Sequence, residues 1–360
     1  MVNMESNNFW RGHALNIIVG ILLILLFVSV ASAGIEGSIK LGAFNLQMFG
    51  PTKASNPEVM NILSKIIRNY DVIAIEEIRD QSQTALPSLN NSVNSMGSPQ
   101  YDYVVSERLG RTTSKEQYAY FYNTQKIELI GNPYVFPDSE DLFEREPFVA
   151  NFKAKNGSLD FISITIHTKP ENATQEINDL PVVVDDAKQR YQGEDDFIIM
   201  GDLNADCDYF DENSQSPLRS IEYFWIINNS VDTTTKSTIC TYDRIIITTP
   251  AKNDFTGDSG VFRFDTVYNL TYENTTAVSD HYPIYADFWS TPQLKTGDIN
   301  GNGQLTLVDA IYLAKHVGGF IGYETIYADG DINGDGKLTL VDAIYLAKHV
   351  GGFIGYEKIY

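Results

Sequence analysis

An unchanged repeat near the carboxyl end most constrains what this chain can fold into. Residues 305–324, LTLVDAIYLAKHVGGFIGYE, recur letter for letter at 338–357. Each copy follows an acidic, glycine-containing run, DINGNGQ from Asp298 and DINGDGK from Asp331. The pattern predicts two equivalent units, each a loop that leads into the same apolar helix.

The acidic runs have the spacing of calcium-binding loops. Calcium requires six or more hard oxygen ligands on a flexible loop, and a glycine at position 6 allows the sharp turn. Gly303 and Gly336 occupy that position. A single run of this kind is weak evidence, because Asn-Gly and Asp-Gly also mark plain turns, but two in register are strong evidence. The predicted ligands are Asp298, Asn300, Asn302, Gln304 (through its carbonyl), Thr306 and Asp309, and then Asp331, Asn333, Asp335, Lys337 (through its carbonyl), Thr339 and Asp342.

These units depart from an EF-hand, because position 12 is Asp instead of Glu and no helix precedes the first loop. They resemble the dockerin family over residues 298–360. The resemblance implies a small all-α domain that binds a cohesin domain on a scaffold protein, in either of two orientations because the copies are identical. The alternative is a calcium-stabilised cap without a partner. The family's recognition positions correspond to Leu307, Val308, Ala314 and Lys315, repeated as Leu340, Val341, Ala347 and Lys348.

The net charge excludes one class of function. The 360 residues include 26 Lys and Arg against 47 Asp and Glu, for a formal charge of −21. A surface this acidic repels phosphate, so the chain is not a charge-driven nucleic-acid binder. If the substrate is a phosphodiester, bound metal ions must supply positive charge.

The amino terminus has the features of a secretory signal. Residues 17–33 are uncharged and largely apolar, follow Arg11, and end in Ala31-Ser32-Ala33. This pattern predicts a signal peptide over 1–33, cleaved to give a secreted protein without stable membrane association. The alternative is a membrane anchor, since the segment is just long enough to span a bilayer. Both hypotheses place the body of the protein outside the cytoplasm.

The central region, 34–290, is followed by a short polar linker, 291–297. It contains several apolar runs that each end in polar residues, and a helix is predicted to start at Asn56-Pro57-Glu58. Runs of this length and composition indicate strands, in a domain where helices cover packed sheets. Acids, an amide and an imidazole at strand ends suit a metal-assisted hydrolase. The runs are 39–44 before Asn45, 72–75 before Glu76-Glu77, 162–166 before His167, and 197–200 before Gly201-Asp202-Leu203-Asn204.

An ordered series of short motifs resembles the pancreatic-type deoxyribonuclease I family, within the endonuclease/exonuclease/phosphatase superfamily. The resemblance runs from about Ile39 to Phe288. It implies an α+β chain whose main domain is a four-layered α/β sandwich, two packed β-sheets flanked by helices. The motifs are KLGAFNLQMFG, YDVIAIEEIRD, YVVSERLGR, SKEQYAYFY, FEREP, IHTKP, MGDLNADCDY, CTYDRI and SDHYP.

The resemblance assigns the catalytic roles. His167 with Glu116 corresponds to a pair that protonates a phosphodiester oxygen, and His281 with Asp243 to a pair that orients or deprotonates the attacking water. A Mg²⁺ or Mn²⁺ ion would neutralise charge in the transition state. Its predicted ligands are Asn45, Glu77, Asp202, Asn204 and Asp280.

The resemblance also implies substrate contacts. Arg79, Arg111 and Arg145 align with arginines that contact phosphate or DNA. Ser114 stands where the family has a tyrosine that packs into the DNA minor groove, so Arg79 is left as the predicted wedge.

The two cysteines, Cys207 and Cys240, would pair in an oxidising compartment. Two buried free thiols are the alternative, and the resemblance supports the disulfide. It further implies structural calcium sites. Lys236 replaces a threonine at the first of them, which should weaken it. The predicted residues are Asp232, Thr234 and Thr238 at the first site and Asp138, Asp141, Phe143 and Glu146 at the second.

Three functional hypotheses follow. The leading one is a secreted, divalent-metal-dependent endonuclease that cleaves DNA to 5′-phosphorylated products while tethered through its dockerin to a scaffold. The second is a phosphodiesterase of the same superfamily that acts on RNA or a phospholipid head group. The third is a catalytically inactive module whose role is assembly.

Overall fold

A computed structural model describes residues 37–291, 296–301 and 303–360. The predicted signal segment, Asn302 and most of the predicted linker lie outside these ranges. Within them, no helix has the length and apolarity to cross a lipid bilayer.

The described part of the chain contains both strands and helices. They are β1 (Ser38–Phe49), α1 (Pro51–Ala54), α2 (Pro57–Ile67), β2 (Val72–Ile78), α3 (Ala85–Ser95), β3 (Tyr101–Val105), β4 (Gln117–Asn123), β5 (Ile127–Val135), β6 (Phe148–Ala154), β7 (Asp160–Thr165), α4 (Ala173–Arg190), β8 (Phe197–Asp202), β9 (Tyr223–Trp225), β10 (Asp243–Thr248), β11 (Phe255–Val261), α5 (Phe264–Val267), α6 (Tyr272–Val278), β12 (Ile284–Trp289), α7 (Leu307–Val317) and α8 (Leu340–Val350). The five strands from β3 to β7 are consecutive.

The strands form two six-stranded sheets with matching layouts. One has the order β11-β12-β1-β2-β4-β3, and the other has the order β5-β6-β7-β8-β10-β9. Each contains one parallel pair, β1 with β2 and β7 with β8, and its other strand pairs are antiparallel. Because helices α2 and α4 connect the parallel pairs, each sheet carries helix on one face.

Three apolar cores separate four layers, which confirms the predicted sandwich. The central core lies between the sheets and contains Leu41, Tyr120 and Phe152. A second core packs the first sheet against α2 and α3, and a third packs the second sheet against α4. Strands buried on both faces explain why the runs 72–75 and 197–200 are apolar throughout.

The helix predicted at Asn56 is confirmed. The Asn56 side chain caps α2 by accepting hydrogen bonds from the backbone N–H groups of Glu58 and Val59, and Pro57 occupies the first turn. Strands β1, β2 and β8, by contrast, extend past their apolar runs, whereas β7 ends at Thr165, one residue before the end of its run. β1 continues through Asn45 to Phe49, and its register with β2 shifts between these two residues. Such an irregularity re-aims side chains at the end of a strand.

The carboxyl-terminal residues form a separate pair of packed helices. α7 and α8 enclose a small core that includes Ile299, Leu313, Ile332 and Leu346. Each helix begins with a capping box, Thr306 with Asp309 and Thr339 with Asp342. The duplicated sequence thus gives two equivalent units.

Candidate active site

Asp202, at the end of β8, is the centre of the polar cluster. Its Oδ2 atom lies 3.5 Å from His167 Nε2, 3.4 Å from His281 Nε2 and 3.0 Å from Asn45 Nδ2. Burial alone would raise the pKa of Asp202, but the two imidazoles and the Asn45 amide outweigh it, so the pKa lies below its usual value. The sandwich therefore brings both central-domain histidines to one carboxylate.

A second carboxylate holds each histidine from behind. Glu116 Oε2 lies 3.0 Å from His167 Nδ1, and Asp243 Oδ2 lies 2.9 Å from His281 Nδ1. The outer carboxylate fixes the orientation of the ring and leaves Nε2 directed into the cluster. The geometry provides two separate acid–base pairs that share Asp202.

The pKa values of both histidines are raised. Burial, the largest effect on His167, lowers its pKa, and Arg145 acts in the same direction; Glu116 and Asp202 outweigh them. For His281, burial likewise lowers the pKa, but Asp243, Asp202 and Asp280 raise it well above the usual value. Both rings therefore hold a proton more readily than an exposed imidazole.

The main predicted metal pair, Asn45 and Glu77, lies near the carboxyl ends of β1 and β2, the two central strands of the first sheet. Asn45 Nδ2 donates to Glu77 Oε1 at 3.1 Å, and Met48 N–H donates to Glu77 Oε2 at 2.9 Å. Asn204 lies beside Asp202, whose Oδ1 accepts its N–H at 3.1 Å. Glu77 and Asn204 adopt positive φ angles of 55° and 47°, conformations uncommon for residues other than glycine.

The residues present fit a divalent cation. Asp202, a predicted metal ligand, offers a ligand atom within 4.8 Å of those of Asp243 and His281, the pair predicted to act on the attacking water. Within the described residues, Asp243 Oδ1 and Asp280 Oδ1 are buried and have no hydrogen-bond partner. Since buried carboxylate oxygens are costly without a partner, a cation would complete this donor set. Oxygen ligands suit Mg²⁺ or Mn²⁺.

The three predicted substrate arginines have different surroundings. Arg79 pairs with Glu116 at 2.7 Å and with Glu77 at 3.2 Å, while Arg145 Nη1 lies 3.3 Å from Glu116 Oε1. Arg145 also donates to the carbonyls of His167 and Thr168. Burial, the largest single effect, raises the pKa of Glu116, but His167, Arg145 and Arg79 outweigh it and lower the pKa to about 2. Arg111 lies apart from this group and pairs with Asp141 at 2.8 Å.

Glu76, which was not predicted to have a role, supports the centre of the cluster. Its side chain is fully buried and accepts from Asp202 N–H at 2.9 Å and from the Thr165 hydroxyl at 3.1 Å. Burial raises its pKa well above the usual value, and Asp202 contributes in the same direction. A β-carbon at Gly201 would lie 2.1 Å from Glu76 Oε1, so glycine is required there. The signal in the sequence was the adjacent Glu76-Glu77 pair.

Lys53, which the sequence reasoning also missed, holds the turn that follows Asn45. Its ammonium donates to the carbonyls of Leu46 and Gln47 at 2.7 Å each and to that of Val278 at 3.1 Å. Burial lowers its pKa to about 8, although Asp280 and Glu77 act in the opposite direction. Ser279 supports the same region, since its hydroxyl donates to Asn45 O at 2.6 Å and accepts His281 N–H at 3.0 Å.

The structure places the predicted structural-calcium residues in two loops. At the first, Thr234 donates to Asp232 Oδ1 and to the carbonyl of Thr238, so these three oxygens lie together. At the second, the Asp138 carboxylate accepts the N–H groups of Leu142 and Phe143. Asp141 is an exposed partner of Arg111, and Glu146 is half-buried.

Cys207 and Cys240 form the disulfide that was predicted. It joins the segment after β8 to the segment before β10. Because these strands carry Asp202 and Asp243, opposite each other in register, the bond braces the two sides of the cluster.

In the carboxyl-terminal loops, the predicted calcium ligands close onto the backbone. Asp298 Oδ2 accepts Gly303 N–H and Asp331 Oδ2 accepts Gly336 N–H, each at 2.7 Å. Both glycines have φ of 79°, which provides the sharp turn predicted at position 6. Asp309 and Asp342 are fully buried at position 12. Of the predicted ligands, Asn302 lies outside the described residues.

Comparisons with known proteins agree on the central region. Residues 42–281 match the family model described as "Endonuclease/Exonuclease/phosphatase family". Deoxyribonuclease gamma of Rattus norvegicus is 37% identical over 274 residues, covering 72% of this chain and 87% of the relative. Deoxyribonuclease-1 of Bos taurus is 36% identical over 258 residues, covering 69% and 91%.

A solved structure shares the fold. The endonuclease/exonuclease/phosphatase from Bacteroides vulgatus superposes with a TM-score of 0.50 at 18% identity, covering 69% of this chain and 98% of that one.

Proposed function

Because this chain belongs to the endonuclease/exonuclease/phosphatase family and is a deoxyribonuclease I-like hydrolase, we propose that it is a secreted, divalent-metal-dependent endonuclease that hydrolyses DNA to 5′-phosphorylated products. We further propose that residues 298–360 are a dockerin that tethers the enzyme to a cohesin-bearing scaffold. In this proposal 1–33 are a signal peptide, 34–290 the nuclease domain and 291–297 a linker.

One observation carries the catalytic proposal. Two imidazoles, each oriented by its own carboxylate, approach the same oxygen of Asp202 within 3.5 Å. A hydrolase that cleaves a phosphodiester needs one group to remove a proton from water and another to donate a proton to the leaving oxygen. Two oriented imidazoles on either side of one carboxylate meet that requirement.

The two histidines divide the proton transfers. Asp243 holds His281 so that Nε2 orients or deprotonates the attacking water, and it stabilises the imidazolium that forms. Burial lowers the pKa of this ring, but Asp243, Asp202 and Asp280 raise it well above the usual value. With a cation bound, Asp202 and Asp280 would raise it less, which leaves Nε2 free to accept a proton. Glu116 holds His167 so that Nε2 donates to a phosphodiester oxygen as the bond to phosphorus breaks. The raised pKa of His167 suits a proton donor near neutral pH.

The remaining polar residues position the phosphate. Arg79 and Arg145 both pair with Glu116, the partner of His167, and a phosphate oxygen beside His167 would be attracted by these two guanidinium groups. Asn45, Glu77, Asp202, Asn204 and Asp280 would hold Mg²⁺ or Mn²⁺, which when bound supplies charge neutralisation on the phosphate oxygens. With a net charge of −21, this local positive charge is what permits DNA to approach.

The carboxyl-terminal pair of helices supports the tethering proposal. Between α7 and α8 lies an open groove of about 360 Å³ lined by Leu307, Ile311 and Ala314 and by their repeats Leu340, Ile344 and Ala347. Leu307 and Val308 are each more than half exposed, as are their repeats. Exposed apolar side chains grouped in this way indicate a surface for a protein partner. The proposed Ca²⁺ ions would fix the two loops before the helices.

Plasmid nicking by the purified mature chain tests the proposal. Supercoiled DNA should be nicked in Mg²⁺ or Mn²⁺ and left intact in EDTA, with ends that a ligase reseals because they carry 5′-phosphates. His167→Ala and His281→Ala should each abolish nicking, whereas the matched His316→Ala on α7 should retain it. RNA and sphingomyelin, digested in parallel, test the second hypothesis. Turnover of lipid or RNA without nicking would overturn the proposal.

The tether has its own test. Both histidine variants should still bind an immobilised cohesin in Ca²⁺, and EDTA should release them. Retention in EDTA, or failure of the wild-type chain to bind, would contradict the dockerin assignment and leave the nuclease assignment standing.

A further inference from the structure

Met48 has an exposed apolar side chain, and its backbone is hydrogen-bonded to Glu77, a predicted metal ligand. It follows the irregular end of β1 and is 62% exposed. Its backbone N–H donates to Glu77 Oε2 at 2.9 Å. Among the exposed large apolar residues that the structure describes, it is the one whose backbone bonds to a site carboxylate.

The conformation of Met48 is unfavourable for its side chain. Gln47 and Met48 have φ angles of 48° and 56°, a region that suits glycine or asparagine and is strained for a long side chain. The N–H bond to Glu77 explains why the backbone adopts this turn. It does not explain a methionine, because any residue except proline offers the same N–H. Being mostly exposed, the side chain also gains little from packing in the fold.

The side chain borders an open cleft next to the catalytic cluster. The cleft has a volume of about 670 Å³, and its walls include Gln47, Pro51, Thr52 and Arg79. This volume accommodates a sugar with its base. Since Glu77 bonds to Met48 and pairs with Arg79, the cleft opens directly beside the residues that would hold the scissile phosphate.

The other residues at predicted DNA-contact positions either are engaged in ion pairs or lack an apolar surface. Arg79, the predicted wedge, is paired with both Glu77 and Glu116. Arg111 is paired with Asp141. Ser114 is exposed and has no ring. On the Glu77 side of the site, Met48 is the exposed large apolar side chain that lines the cleft.

We propose that Met48 is a substrate-binding residue that packs against the deoxyribose and base edge of the nucleotide next to the scissile phosphate, in the minor groove of duplex DNA. Methionine is among the side chains that proteins insert at base steps from this groove, and the neighbouring Gln47 amide can hydrogen-bond to base edges there. This inference rests on the proposed endonuclease function and adds to it the residue that grips the duplex.

Three variants of the mature chain test it. Met48→Leu keeps an apolar side chain, Met48→Asn keeps the N–H and suits positive φ, and Ile221→Asn is the control, at an exposed residue (93%) near β9. For each variant, kcat/KM is measured on duplex DNA and on bis(p-nitrophenyl) phosphate, which has no groove. The ratio of the two values isolates the contact to the duplex.

Met48→Asn should lower this ratio about tenfold, mainly through KM, the effect of losing one apolar contact of this size. Met48→Leu and the control should stay within about twofold of the wild type. Because Asn relieves strain, the melting temperature of Met48→Asn should not fall, which separates loss of contact from loss of folding.

A Met48→Asn ratio equal to that of the wild type would overturn the inference and leave the backbone N–H as the only role of the residue. A wild-type chain that turns over the small diester but not DNA would instead overturn the proposed function. The two failures are therefore distinguishable.

Discussion

Lys236 Nζ lies 2.9 Å from Asp280 Oδ2, so a lysine from the predicted structural-calcium loop pairs with a predicted ligand of the catalytic metal. Thr235 N–H supports the same residue by donating to the Asp280 carbonyl at 2.8 Å. The other carboxylate oxygen, Asp280 Oδ1, lies 4.0 Å from His281 Nε2. A cation bound by Asp280 would therefore share this carboxylate with the ammonium group of Lys236.

Lys236→Met should tighten binding of Mn²⁺ at the active site, because it removes this competing charge and keeps the apolar stem. The lysine side chain is 49% exposed, so solvent screening limits the gain in affinity to about threefold. Calorimetric titration with Mn²⁺ after the carboxyl-terminal loops are filled with Ca²⁺ measures the change. Lys252→Met, at an exposed lysine, is the control. Unchanged or weaker affinity in Lys236→Met would argue that Asp280 does not bind the ion.

Glu116→Gln should lower kcat by about 10²- to 10³-fold, because the proposed proton donor loses the carboxylate that orients it. Glu116 raises the pKa of His167, so removing its charge should lower that pKa. Activity requires a protonated His167, so the alkaline limb of the pH–rate profile should shift to lower pH in the variant. A pH–rate profile from pH 5 to 9 measures both effects. Glu128→Gln, an exposed residue on β5, should match the wild type. An alkaline limb that stays in place would remove His167 from the role of acid.

Cys207→Ser with Cys240→Ser should destabilise the fold by about 3–4 kcal/mol, because the bond closes a loop with a sequence separation of 33. For a domain of this size the melting temperature should fall by about 6–16 °C. Differential scanning calorimetry with and without dithiothreitol measures the change. The reductant should lower the melting temperature of the wild type and leave that of the double variant unchanged. If the reductant lowered both, its effect would not come from the Cys207–Cys240 bond.

The strands and the polar residues that follow them could be predicted from local patterns, whereas the four-layered sandwich and the roles of Glu116, Asp243 and His281 came from the resemblance to the deoxyribonuclease I family. Buried strands give apolar runs, and the first polar residues after them, such as Asn45 and His167, lie where two sheets meet. The capped start of α2 at Asn56 depends on neighbours in sequence alone. Equivalent loops at Asp298 and Asp331 follow from the repeat itself.

The features that could not be predicted from the sequence depend on contacts between elements that are distant along the chain. Glu76 supports Asp202 because two sheets place its carboxylate against the Asp202 N–H, and no spacing in the chain encodes that contact. The direction of Lys236 toward Asp280 is equally non-local. The strained φ of Met48 lies within the register shift between β1 and β2 and accompanies the N–H bond to Glu77, so it too depends on a strand distant in sequence.

Asp196→Asn should stabilise the protein increasingly as pH rises. Burial and the neighbouring carboxylates of Asp254 and Glu194 raise the pKa of Asp196 to about 8. The folded state therefore retains a proton that the unfolded state loses near pH 4, so the free energy of unfolding of the wild type falls as pH rises from about 4 to about 8. Asparagine cannot ionise and removes this contribution.

Urea denaturation at pH 5 and pH 8 measures the effect. The stability difference between Asp196→Asn and the wild type should grow by about 1–3 kcal/mol between these two pH values, an order of magnitude set by a partly buried group. Asp195→Asn, at the exposed neighbouring residue, should show no such growth. Because the unfolded states of the two variants differ only in which adjacent aspartate is neutral, a slope in Asp196→Asn alone must come from the folded environment of Asp196. Equal slopes in the two variants would mean that Asp196 is ionised in the folded protein.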